Sequence, residues 1–394
     1  MKLARGFALV LALALIGCAT APPAPTVTPS PAATDTPVPP PTATLPPTST
    51  PIPTPTLTPT PYDTPQPGWI IGVALPQGAS LRGAIPAAAE AAAIEGGGAI
   101  VFAEVRQDTG SSDRALEALV AKGSAVIYSA FYYPEAFLWD MPEAMARAAR
   151  AHPDVRFIIG EYLYTPENQC GLGSDGANAK DCYAELLPNV TTIDFASDES
   201  AFLAGVAVAC AIKLTTIGVV GGPESSVVKR FTKGYIEGAY FVDDAIGALL
   251  TFMPDFVDPA GGEAEANKMI GAGKAEAIFV AAGPTGDGAL RAAAAAGIPA
   301  VASDSDRYLD FPEVRPVLVT SALKRWDVAT AQAVRAYARG DLGAIFLANL
   351  ANGGVDIAPY HDWDAKISDE CKVKVEKVRD AIASGKLKTG YEGE

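Results

Sequence analysis

From residue 69 onward, short apolar runs alternate with stretches in which apolar residues recur every three or four positions. The runs "WIIGVALP", "AIVFAEV", "SAVIYSA", "VRFIIG" and "VTTID" have strand length and present apolar side chains on both faces. Strands of that kind, alternating with helices, make a parallel sheet covered on both sides and joined by right-handed crossovers. The helical segments between them are "LRGAIPAAAEAAAIEGG", in which Pro86 limits the first turn, and the stretches Asp113 to Lys122 and Pro142 to Ala151.

The pattern then restarts. "ASDESAFLAGVAVACAIK" places Phe202, Leu203, Val206, Ala207 and Cys210 on one helical face, with Ser197 a candidate N-cap and Asp198 and Glu199 in the first turn. The strands expected next are "TTIGVVGG", "ALLTFMP", "AEAIFVAA" and "IPAVAS", separated by helices near Val227 to Tyr240, Gly262 to Gly273 and Gly286 to Ala296. "PVLVTS" and a helix from Trp326 to Arg339 are expected to return to the first lobe, and "DECKVKVEKVRDAIASGK" is a charged amphipathic helix. The expected class is α/β, with two doubly wound parallel-sheet lobes. The first lobe is expected over 69–194 and 304–350, the second over 195–303, and a C-terminal crossing segment and helix over 351–394.

The amino end has a different character. Lys2 and Arg5 precede the apolar run "GFALVLALALIG", which is too short for a stable span but has the size of a signal-peptide core. Leu15-Ile16-Gly17-Cys18 resembles the bacterial lipobox, so residues 1–18 read as a lipoprotein signal with Cys18 as the lipidated (palmitate-bearing) mature terminus. At about 0.8 kcal/mol per methylene, two or three acyl chains make a stable anchor where one is marginal. Residues 19–68 collapse to Pro, Thr, Ala and Ser, a composition that buries no core and favours extended polyproline II. At roughly 3.1 Å per residue this stalk reaches on the order of 100 Å from the membrane. The protein is therefore expected on the extracytoplasmic face of a cell membrane.

About 325 residues remain, enough for two cores. The formal net charge of −15 argues against nucleic acid or anionic lipid as the main partner. His152 and His361 are the two histidines and stand far apart, which disfavours histidine catalysis and His-based metal sites; no cofactor and no metal are expected. Cys170 and Cys182 flank "GLGSDGANAKD", and in an oxidising compartment a disulfide closing that loop is expected. Cys210, on the apolar helical face, reads as an inert buried thiol, with Cys371 either free or paired to it.

In open parallel sheets the ligand lies beyond the carboxyl ends of the strands. In the first lobe those ends carry Gln77, Gln107, Asp108, Phe131, Tyr132, Tyr133 and Glu161. In the second they carry Gly222, Phe231, Gly283, Thr285, Asp304 and Asp306. "GVVGGPESS" and "AAGPTGDG" lack GxGxxG spacing and the Walker lysine, so tight turns explain their glycines. GxSxG, HExxH and the EF-hand loop are absent from the sequence, and "DSD" at a strand end is by itself commonly a turn cap. No nucleophile, base and acid constellation can be assembled from spacing, so an enzyme is not expected.

One succession is more specific: "FASDESAFLAG", "IGVVGG", "VKRFTKGYIEGA", "FVAAGPTGDG", "VASDSDRY" and "SALKRWD". In that order these motifs resemble the basic membrane protein family of substrate-binding lipoproteins, which includes the purine nucleoside receptors of ABC transporters. The resemblance implies a type I periplasmic-binding-protein fold with a three-segment hinge. It further implies a monomer that binds a nucleoside-like solute and hands it to the permease and ATPase subunits of an importer. A tethered sensor for a membrane receptor is the alternative role, and another aromatic or sugar-bearing molecule the alternative ligand. Carried over by motif, Asp304 and Lys324 contact the ribose hydroxyls, Phe231 stacks on the base and the backbone near Gly283 lines the sugar. A carboxylate accepts from both members of a vicinal diol while an ammonium donates to the same oxygens. The first lobe departs from the family, having "PQGASLRG" where an NDxSFN-like segment is usual. Gln77 or Ser80, Phe131, Tyr132 or Tyr133, and Glu161 as acidic base contact are the replacements that position offers.

Overall fold

The computed structural model describes residues 64–80, 83–106, 108–130, 132–133, 136–138, 140–162 and 187–391. Cys18, the stalk through residue 63, Gln107, Phe131, Cys170 and Cys182 lie outside the described residues.

The first lobe opens with β1 (Ile70–Pro76), α1 (Ala84–Glu95), β2 (Ala99–Val105), α2 (Ser111–Ala121) and β3 (Val126–Ala130). A two-residue hairpin follows, β4 (Tyr132–Tyr133) and β5 (Ala136–Phe137), then α3 (Met141–Ala151), β6 (Arg156–Gly160) and β7 (Val190–Phe195). The second lobe runs α4 (Ser197–Ala211), β8 (Thr216–Gly221), α5 (Ser226–Val242), β9 (Gly247–Phe252), α6 (Pro259–Gly271), β10 (Ala277–Ala281), α7 (Gly283–Ala296), β11 (Ala300–Asp304), α8 (Arg307–Asp310) and β12 (Leu318–Lys324). The chain then alternates between lobes through α9 (Trp326–Arg339), β13 (Ile345–Ala348), β14 (Val355–Ile357) and α10 (Asp369–Ala383).

Among the described residues the strands form two six-stranded sheets, ordered β13-β7-β6-β3-β1-β2 and β14-β12-β11-β10-β8-β9. All neighbours in them are parallel except β12 and β14. β3, β6 and β10 are buried along their whole length; β10 is an unbroken apolar run, while Ser129 of β3 and Arg156 of β6 are buried polar side chains that are hydrogen-bonded.

The expected division of the chain is corrected in one place. Residues 304–324 do not go back to the first lobe: β12 pairs with β11 from Ala300↔Leu318 to Asp304↔Leu323, and the return comes only after Lys324. Both faces of β12 are buried, with Thr320, Ser321 and Lys324 among its apolar residues, so its pattern specifies burial but not which sheet buries it. α9, expected over the same bounds, does return, burying Trp326, Ala329, Ala333 and Val334 in the first-lobe core. β13 extends the first sheet, where buried Arg156 ties its approach by donating to the carbonyls of Leu342 and Gly343 at 3.1 and 2.9 Å. The C-terminal segment belongs to the second lobe, with β14 on its sheet edge and Val375, Val378 and Ile382 of α10 in its core.

The lobes are thus joined at residues 195–197, 324–326 and 348–355, and these crossings bond to one another. Ala196 N–H donates to the Ala348 carbonyl at 2.9 Å, Arg325 N–H to Gly354 at 2.8 Å, and Leu350 N–H to the Glu199 carboxylate at 2.7 Å.

Cys210 is not a free thiol. It forms a disulfide with Cys371, 161 residues away, joining the end of α4 to the first turn of α10.

Candidate functional site

Asp304 and Lys324 end adjacent strands of the second sheet, and Glu161 follows β6 of the first. The Lys324 Nζ lies 2.9 Å from Asp304 Oδ1 and 2.7 Å from Glu161 Oε2, so a single ammonium is held by a carboxylate from each lobe. The Lys324 side chain is 4% exposed, Glu161 11% and Asp304 30%, so Asp304 is the most accessible of the three. Its second oxygen, Oδ2, accepts from Ser303 Oγ at 3.0 Å.

Both carboxylates occupy left-handed backbone, with φ of 55° at Glu161 and 69° at Asp304. Only four non-glycine residues among the described ones do so, and two of them are the partners of Lys324. Such conformations persist where surrounding contacts over-determine them, commonly at ligand sites.

Burial opposes the Lys324 charge, but Asp304 and Glu161 outweigh it and hold the ammonium well above its ordinary range. For Glu161, burial wins over the attraction of Lys324, and with Asp304 and Asp194 nearby its carboxyl is pushed up to about 7 from 4.5. The folded protein therefore binds a proton more readily here than the unfolded chain, so stability falls as pH rises from 4.5 through about 7. Glu161→Gln is expected to flatten this slope. Urea midpoints at about pH 5 and about pH 8 should differ less in the variant than in the wild type; an unchanged difference contradicts the assignment.

Phe231 is positioned by α5, whose N-cap Ser225 accepts from Val228 N–H at 3.3 Å. α5 packs close to α4 because Gly205, Gly234 and Gly238 lack side chains; a Cβ on Gly238 would stand 2.1 Å from the Phe202 carbonyl oxygen. This seat buries Phe231 to 2% exposure, in the second-lobe core near Phe279, with the Lys324 Nζ 4.8 Å from its ring centroid. The ring supports the ammonium by a cation–π contact in this arrangement and offers almost no open face.

Gln77 is exposed just past β1, and Asp108 pairs with Arg114 in an exposed salt bridge. The backbone of Tyr132 and Tyr133 forms the β4–β5 hairpin. Glu161 is engaged by Lys324 rather than free to meet a base. Asp306 caps α8 through Tyr308 N–H at 3.2 Å and meets His361 Nε2 at 2.8 Å, the turn-capping role. Thr285 is fully buried and bonds Asp255 and Asp258 of the β9–α6 loop. Gly283, with φ of 53°, and Gly222 both lie against Phe256, and a Cβ on Gly222 would come within 2.2 Å of that ring. Phe256, half-buried at the carboxyl edge of the second sheet, is absent from the candidates that sequence supplied; the glycines at its two seats were the available signal. No group of three or more His, Cys, Asp or Glu among the described residues is arranged to hold a metal ion.

The sequence profile described as ABC transporter substrate-binding protein PnrA-like matches residues 94–390. The chain belongs to that family. It is 33% identical over 266 residues to the ABC transporter nucleoside-binding protein BmpA of Lactococcus lactis, covering 63% of this chain and 68% of that one. To the CD4+ T-cell-stimulating antigen of Listeria monocytogenes it is 26% identical over 239 residues, 57% of this chain and 64% of that one. Among solved structures it resembles an ABC transporter solute-binding protein of Aeropyrum pernix K1, with TM-score 0.56 and 20% identity over 81% of this chain and 92% of that one. A solute-binding protein of Conexibacter woesei gives TM-score 0.57 and 19% identity over 81% and 98%. At these identities the structures establish a shared fold, the type I periplasmic-binding architecture of two parallel-sheet lobes. This member of the PnrA-like family is a solute-binding protein of the ABC transporter kind, and its strand ends bring Asp304, Lys324 and Glu161 together. Among the described residues no helix is long and apolar enough to cross a membrane.

Proposed function

We propose that the protein captures a nucleoside-like solute between its lobes and delivers it to an ABC importer, held to the outer face of the membrane by a lipidated Cys18. The observation that carries this reading is the clasp of Lys324 between Asp304 of its own lobe and Glu161 of the other. A vicinal diol approaching Asp304 meets a carboxylate with lone pairs to spare and an ammonium whose donors reach the same oxygens. Family membership and the nucleoside-binding relative from Lactococcus lactis support the ligand class.

In this reading Glu161 orients Lys324 from the opposite lobe, and Phe231 supports the ammonium from beneath and presents its ring to the base only if α5 or Lys324 shifts. The base end of the ligand faces the first lobe, where Gln77, Phe131 and Tyr132 are the positions on offer, and the backbone at Gly283 lines the sugar. The test is calorimetry with guanosine, adenosine and inosine. Asp304→Asn is expected to weaken binding of the preferred nucleoside by about 1.5 to 3 kcal/mol, the worth of a charge-assisted hydrogen bond. Unchanged affinity in the variant removes Asp304 from the sugar contact.

A further inference from the structure

Of the neighbouring pair Arg230 and Phe231, the ligand site absorbs only the aromatic. Arg230 sits where the first crossing meets the second lobe. Its Nη1 donates to Asp194 Oδ2 at 3.0 Å and to the Phe195 carbonyl at 2.5 Å, both in the last residues of β7. Its Nε lies 3.7 Å from Asp198 Oδ1 in the first turn of α4. The guanidinium, carried by a second-lobe helix, thus grips the first lobe with one edge and its own lobe with the other. The C-terminal segment closes over it: the Tyr391 ring centroid is 5.2 Å from Arg230 Cζ, and the Thr389 hydroxyl donates to Asp198.

The surroundings make this grip costly to release. The side chains of Asp194 and Asp198 are 13% and 10% exposed, and such carboxylates need a cation beside them. Burial raises the Asp194 carboxyl despite the nearby guanidinium, which shows how little water reaches it. A planar fork serves two acceptors at once, which a lysine ammonium at the end of a flexible stem does not do in the same geometry. The next residue, Phe231, lies under Lys324, so movement of α5 relative to β7 is transmitted to the ligand-reading ammonium within one residue.

We propose that Arg230 is a positioning residue for the ligand site, a guanidinium fork that locks the first interlobe crossing and thereby keeps Phe231 beneath Lys324. The consequence for binding rests on the interlobe solute-binding reading; the lock itself does not.

Hydrogen–deuterium exchange of the full chain without added solute tests the lock. In Arg230→Gln, exchange at residues 194–199 and 349–354 is expected to rise roughly tenfold, while β3 and β10 keep wild-type protection. Arg230→Lys, able to reach one carboxylate, should fall between the two. Asp194→Asn combined with Arg230→Gln removes one of the two buried carboxylates left facing the site, recovers part of the stability and still shows loose crossings. Unchanged exchange at the crossings in Arg230→Gln, or an equal rise in β10, overturns the proposal, as does wild-type protection of the crossings in the double variant. Because exchange is read without solute, failure of the nucleoside reading leaves this result standing, and failure here leaves that reading standing.

Discussion

Lys324→Met is expected to abolish solute binding and to lower stability by about 3 to 5 kcal/mol, the cost of removing one partner from a buried ion pair. The variant leaves Glu161 and Asp304 facing one another across the lobes with no cation between them. It also removes the ammonium from the face of the Phe231 ring. The unfolding part is read from urea midpoints and the binding part by calorimetry. Adding Glu161→Gln to Lys324→Met should recover part of the stability without restoring binding, because it relieves the repulsion but supplies no donor on the second lobe. A Lys324→Met protein as stable as the wild type would mean that the carboxylates move apart freely and that the clasp is no structural feature of the interlobe seam.

The second large effect concerns the Cys210–Cys371 bridge. Replacing both cysteines with alanine is expected to cost about 2 to 5 kcal/mol, since the bridge closes a long loop and the unfolded chain regains that freedom when it is lost. The structural consequence is local: α10 remains held by Val375, Val378 and Ile382 but loses its covalent tie to α4. Limited proteolysis should then cleave in α10 before the sheets, with the urea midpoint lowered in parallel. An unchanged midpoint in the double variant would show that packing alone secures α10.

What the sequence disclosed follows from the kinds of interaction involved. β3, β6 and β10 were legible because strands buried on both faces write that burial as largely apolar runs. α9 was legible to its ends, Trp326 and Arg339, because Gly340 takes the left-handed conformation that stops a helix there. The partner of β12 was not legible. A strand buried on both faces fits either sheet, and its register with β11 depends on contacts from Ala300 to Leu323 that no local pattern records. The same limit left the disulfide undecided, for Cys210 lies on an apolar face in either redox state and its partner is 161 residues distant.

The site divides along the same line. Asp304 and Lys324 were found through motifs and come together at 2.9 Å. Glu161 was placed at the correct strand end, but its partner lies 163 residues away, so its role as the first-lobe hold on Lys324 emerged only from the fold. Phe231 was placed on the correct helix; its 2% exposure follows from the packing of α5 against α4, where Gly205, Gly234 and Gly238 allow a close approach, and against Phe279 of β10. Arg230 lay within a motif that was read only for Phe231, and Phe256 lay in no motif; they gain meaning from what stands opposite them: Asp194 across the crossing, Gly222 and Gly283 beneath the ring.

The central claim is that Asp304 and Lys324 read the hydroxyl edge of a sugar. Calorimetric titration of the full chain with a riboside and with its 2′,3′-dideoxy counterpart tests it most directly. The account predicts binding of the riboside and a loss of about 100-fold or more for the dideoxy form, because its missing hydroxyls leave a carboxylate and an ammonium without their partners. Equal affinity for the two, or no binding of any riboside, would contradict it.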